Sequence, residues 1–168
     1  MSVIIEGLIY AWRKNLDYGQ RLVADLSEPQ MVAQPGTAPA DGSVINHPAW
    51  VLSHLNLYHS VMAALIRGQT FPDPREHPFG MKSKPVASRN AYPAKPELVD
   101  AWVKGHEAVE AALRERGEPA LQVDVSLERW RALMPKVGNA LPYLMLVHEN
   151  THLGQISMWR RVQGMPSV

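Results

Sequence analysis

Residues 148–161 read HENTHLGQISMWRR. The first five, His148-Glu149-Asn150-Thr151-His152, fit the H-E-x-x-H pattern that sets two zinc-binding histidines one helical turn apart. On a helix of about 100° per residue, the pattern belongs to a longer seam: Leu141, Met145, His148, His152, Gln155 and Trp159, spaced 4-3-4-3-4. That is the stripe a helix turns toward the core of a bundle, and both histidines lie at its centre. A buried imidazole has two nitrogens to satisfy, and an unpaired polar group in a core costs about 1–3 kcal/mol. A bound cation resolves this by taking one nitrogen from each ring and leaving the other to a hydrogen-bond acceptor. Two hydrogen-bonded core histidines are the alternative.

The metalloprotease reading fails downstream. In H-E-x-x-H enzymes the third ligand is a later glutamate or histidine, and the sixteen residues after His152 contain no Asp, Glu or His. A third ligand must therefore come from upstream. His54 is the candidate, since it sits on an apolar stripe of its own helix with Trp50, Leu57, Val61 and Leu65. Three neutral imidazoles with open positions suit Zn²⁺, Ni²⁺ or Fe²⁺ alike.

Working outward, three more helical stretches accompany this one. The first spans about residues 2–26, with Leu8, Trp12, Leu22 and Leu26 on one stripe together with Asn15 and Gly19. The second begins near Asn46, a plausible N-cap, has Pro48 in its first turn, and runs to about residue 68. The third starts at Pro96, ends near Gly117, and turns Leu98, Trp102, Val109 and Leu113 inward. A Pro, Gly and Ala-rich loop fills residues 35–43. Residues 69–96 hold six prolines without helical period, a long connection of the kind that is usually functional. Residues 118–137 read as a short extended piece and one helical turn. The expected fold is a single all-α domain over residues 1–168: a four-helix bundle with a long crossover between the second and third helices.

Composition narrows the function classes. Apolar residues make up 46% and charged residues 20%, with a formal net charge of +1, so no basic footprint for nucleic acid is expected. The absence of cysteine excludes disulfides, thiolate ligands and a cysteine nucleophile. No signal peptide and no apolar run of about 20 residues for a membrane span are evident, so a cytoplasmic protein without a membrane partner is expected.

The remaining polar residues are read individually. His59 falls on the polar side of the second helix and is expected at the surface. His47 precedes Pro48 as a cap or entry residue, His77 lies in the long loop, and His106 is expected to be half-buried at the edge of the third helix's apolar face. Glu149, about 100° round from His148, falls at the rim of the seam. A solvated or structural role is the expectation there, and a general base the functional alternative. Gln155 and Asn15, polar residues on apolar stripes, can hydrogen-bond near the site.

Taken together, N-H-P-x-W-x-x-x-H-L (residues 46–55) and H-x-x-x-H-x-G-Q-I with a closing arginine pair (residues 148–161) resemble the DinB/YfiT-like superfamily of metal-dependent proteins. The resemblance covers nearly the whole chain. It implies a four-helix bundle, a divalent metal on His54, His148 and His152, and homodimers. Some relatives are thiol-dependent transferases or isomerases that use small thiols such as bacillithiol or mycothiol. The leading expectation is therefore a metal-dependent thiol S-transferase acting on a small electrophile with a low-molecular-weight thiol cosubstrate. The alternatives are a metal-dependent hydrolase with Glu149 as base, and a non-catalytic, metal-stabilised, stress-associated bundle.

Overall fold

A computed structural model describes residues 2–36, 41 and 43–168. Helix α1 (Val3–Ala24) starts where the Ser2 side chain accepts a hydrogen bond from the Ile5 N–H. Its buried residues include the stripe read from the sequence, Asn15 and Gly19 among them. At Gly19 an added Cβ would lie 2.9 Å from the Trp102 indole, so this glycine lets the third long helix approach.

Helix α2 (Pro48–Arg67) is capped by His47, whose Nδ1 accepts from the Trp50 N–H, not by Asn46. It closes on Gly68 in the left-handed conformation, φ 68°. Its length and a window hydropathy of 1.2 would suffice for a membrane span, beyond what the sequence reading allowed, but 78% of that window is buried inside the protein. Helix α2 is thus a central helix, covered by α1, by α3 (Lys95–Leu121) and by the C-terminal helices. In α3 the helical path breaks at Gly117 (φ 61°) just ahead of Pro119.

Helix α4 (Glu128–Arg131) fills the one-turn position expected within 118–137. The C-terminal rod then consists of α5 (Val137–Pro142), a π-helical stretch Tyr143–His148, and α6 (Glu149–Val162). The π stretch was not visible as a period. In it the Glu149 N–H donates to Leu144 O, five residues back. The Met145 carbonyl therefore lacks its usual helical donor, and Asn15 Nδ2 donates to it at 3.0 Å. This explains a buried asparagine on the apolar stripe of α1.

Among the described residues the chain is all-helical, with one isolated bridge between Asp124 and Lys136. Of the loop at 35–43, residues 37–40 and 42 lie outside the described residues. The 69–96 connection contains two short 3-10 turns and is tied to α2 at three points. His47 Nε2 donates to Val86 O, Trp50 Nε1 to Ser83 Oγ, and His54 Nδ1 to Phe79 O.

Candidate metal centre

His54 of α2, His148 at the end of the π stretch and His152 of α6 come together: each offers a ring nitrogen, and the three nitrogens lie within 4.8 Å of one another. His54 is buried, and His148 and His152 are half-buried. Their hydrogen bonds assign the tautomers of two rings. A carbonyl only accepts, so the bond to Phe79 O puts the proton of His54 on Nδ1. His152 Nδ1 lies 2.9 Å from Gln155 Oε1, an oxygen that also accepts from Asn46 Nδ2. His152 therefore carries its proton on Nδ1 as well. Both Nε2 atoms are left as bare lone pairs. The His54 Nε2 faces the His148 Nε2 at 3.1 Å, a distance that requires a proton or a cation between them.

The rings are also fixed by packing. Trp50 stacks on His54 with centroids 4.9 Å apart and planes at 17°, and the Tyr58 ring lies 4.7 Å from His148. Burial, with the neighbouring imidazoles as a lesser cause, lowers the pKa of His54 to about 4 and that of His148 to about 3. Burial lowers His152 as well. All three are neutral at pH 7 and ready to ligate.

The cluster lies in the wall of a cavity of about 760 Å³ whose lining includes Trp50, Tyr58, Met81, Trp130, Leu133 and Tyr143. Arg129, also in the lining, is held in a two-bond ion pair with Asp73 of the long connection, both at 2.7 Å. Burial raises the pKa of Tyr58, so its phenol stays a donor.

A second cluster lies outside this cavity and differs from the sequence expectation. His59 is 2% exposed, not a surface residue; Glu149 is 1% exposed, not at a solvated rim; and His106 is 3% exposed, deeper than half-buried. The reason is that α2 and α6 are each covered by more than one neighbour, so a wheel with a single buried stripe underestimates what they bury. His59 Nε2 is 3.1 Å from Glu149 Oε2, and His106 Nε2 is 3.2 Å from Glu149 Oε1. Trp12 stacks on His106 at 3.8 Å, and the Trp102 ring lies 4.9 Å from His59 and 4.7 Å from His106. Burial pushes the Glu149 carboxyl up, but the contacts with His106 and His59 outweigh it and hold the group below its usual range. Burial lowers the His59 pKa despite that carboxylate. One sequence signal marks this packing. Gly105 lies against His59 so closely that an added Cβ would be 2.3 Å from His59 Nδ1.

The other histidines play local roles. His47 caps α2, and His77 Nδ1 accepts from the Phe79 N–H in the long connection.

The family model of the DinB superfamily matches residues 11–156, a span that includes every residue of both clusters. The chain belongs to the DinB superfamily. No curated protein matches the chain.

Proposed function

We propose that this member of the DinB superfamily is a metalloenzyme that binds one divalent cation, Zn²⁺, Ni²⁺ or Fe²⁺, through His54, His148 and His152. In this reading it transfers a low-molecular-weight thiol to a small electrophile. The observation that carries the reading is the convergence of three ring nitrogens in the wall of a large cavity. The donor set fits such an ion. Two of the three rings have their Nδ1 protons engaged by oxygen acceptors, which is how ligating histidines are normally oriented. Three protein ligands beside a cavity also leave positions open, as catalytic sites do and filled structural sites do not.

A bound divalent ion would supply the chemistry the chain lacks, stabilising a small thiol as its thiolate. The chain contains no cysteine, so the nucleophile is imported. Trp130, Leu133 and Leu144 make the cavity largely apolar and reduce water around the reacting sulfur. Tyr58 keeps its proton and can donate to negative charge that develops on the electrophile. The reaction class is displacement: a sulfur–carbon bond forms, the bond to the leaving group breaks with its electron pair, and the thiol proton passes to solvent.

Metal-assisted hydrolysis with Glu149 as base has less support. That carboxylate is buried against His59 and His106 and does not line the cavity. The reading also takes α1, α2, α3 and the C-terminal rod as a four-helix bundle with the 69–96 segment as crossover. It further takes the chain as a homodimer, in keeping with the exposed Tyr143, Val147, Met158 and Val162 on the rod.

The test is a panel of small thiols and electrophiles with metal-loaded protein, read by thermal stabilisation and product formation. A thiol that stabilises wild type but not His148→Ala, with thioether product, is the expected result. Stoichiometric metal retained by His148→Ala would overturn the ligand assignment. Water-addition products formed without any thiol would overturn the reaction class.

A further inference from the structure

We infer that His59, His106 and Glu149 form a second, closed site for a divalent cation with the ligand preferences of Zn²⁺, separate from the cavity histidines. No residue is shared between the two sites, so this inference stands apart from the proposed function.

The hydrogen bonds within the metal-free cluster leave too much unpaired. One bond, His59 Nε2 to Glu149 Oε2, is well formed at 3.1 Å. The other contact, His106 Nε2 to Glu149 Oε1 at 3.2 Å, lacks hydrogen-bond alignment, so both atoms are buried without a hydrogen-bond partner. The Nδ1 atoms of His59 and His106 are buried and unpartnered too. Every choice of tautomer therefore strands lone pairs in a dry space among Trp12 and Trp102, at about 1–3 kcal/mol for each buried group left unsatisfied. A cation takes both Nε2 lone pairs and the carboxylate oxygens, and leaves the ring protons on Nδ1.

The spacing suits that role. Zinc binds imidazole nitrogen and carboxylate oxygen at about 2.0–2.2 Å, which puts neighbouring tetrahedral ligands about 3.3–3.5 Å apart. The two nitrogen–oxygen contacts, 3.1 and 3.2 Å, need to widen only slightly. Two imidazoles and a two-oxygen carboxylate fill the shell. None of the three residues lines the cavity, so the ion would be a staple and not a reaction centre. It would join α2, α3 and α6 through one residue from each. Because Glu149 follows His148 directly, it would also hold the register in which α6 presents His148 and His152.

The experiment saturates full-length protein with Zn²⁺ alone, removes the excess and counts bound zinc by elemental analysis. The inference expects two equivalents in wild type, one in Glu149→Gln, one in His148→Ala and none in the double variant. Circular dichroism checks that each variant is folded. If Glu149→Gln fails to fold, wild type and His148→Ala still decide. One equivalent in wild type and none in His148→Ala overturns the second site, as does a folded Glu149→Gln that keeps two. One equivalent in both wild type and His148→Ala supports the second site and overturns the first.

Discussion

Replacing Gly105 with alanine presses a methyl group into the root of a buried ring. The new Cβ would lie 2.3 Å from His59 Nδ1, 2.8 Å from its Cγ and 2.9 Å from its Cβ. These atoms are not the free end of a flexible side chain. Either α3 separates from α2, or His59 swings away from Glu149. On a helix surface with open space, the same substitution stabilises by about 1 kcal/mol, because glycine is the poorer helix former. Here overpacking costs about 1–3 kcal/mol, and loss of a hydrogen bond to a buried carboxylate costs about 1.5–3 kcal/mol. The clash therefore outweighs propensity, and we expect a net loss of about 2 kcal/mol or more. Gly154→Ala serves as the internal reference. Gly154 is also inside a helix, but no atom lies within 4 Å of its added Cβ, so a gain of about 0.5–1 kcal/mol is expected. Urea titrations of both variants beside wild type should give midpoints displaced in opposite directions. A Gly105→Ala protein as stable as wild type would show that His59 is not clamped beneath α3.

Three further outcomes follow from the same geometry. The metal-free protein should be acid-labile: His54 and His148 have folded pKa values of about 4 and about 3, below the unfolded value of about 6.5. The unfolded chain then binds more protons, so stability is full above about pH 6.5 and falls as pH drops, by about 3–4 kcal/mol between pH 7 and 5 for the two together; an unfolding free energy that is flat over that range contradicts the neutral buried pair. Gln155→Leu removes the acceptor that orients His152 and should weaken metal binding about 10–100-fold by competition titration while the fold persists; unchanged affinity would mean that Gln155 does not set the ring. Asn15→Leu strands the Met145 carbonyl and should cost about 1–3 kcal/mol in the same urea assay, whereas a neutral effect would mean that the π stretch does not depend on α1.

How much of this was legible follows from what a helical period can carry. The seam through Leu141, His148, His152 and Trp159 places both histidines on the inner side of the rod, and the stripe through Trp50 and His54 does the same for α2. Those patterns brought the three imidazoles to one place on paper, as the structure does in space. The π stretch was invisible because a shift of backbone hydrogen bonds from four residues to five leaves no mark on apolar spacing. His59, His106 and Glu149 were misplaced because one stripe per helix was assumed to be buried. Helix α2 is covered on most sides, and its hydropathy and the facing Gly105 were the clues. The attachment of the 69–96 connection to His47, Trp50 and His54 runs mostly through backbone carbonyls, which no residue pattern encodes.

Anomalous diffraction at the zinc, nickel and iron absorption edges, from crystals of protein purified without chelator, bears most directly on the principal centre. The account predicts a peak at about 2.0–2.2 Å from one ring nitrogen each of His54, His148 and His152, with its remaining positions turned toward the cavity. A map with no anomalous peak among those rings, and His54 hydrogen-bonded to His148 alone, would contradict it.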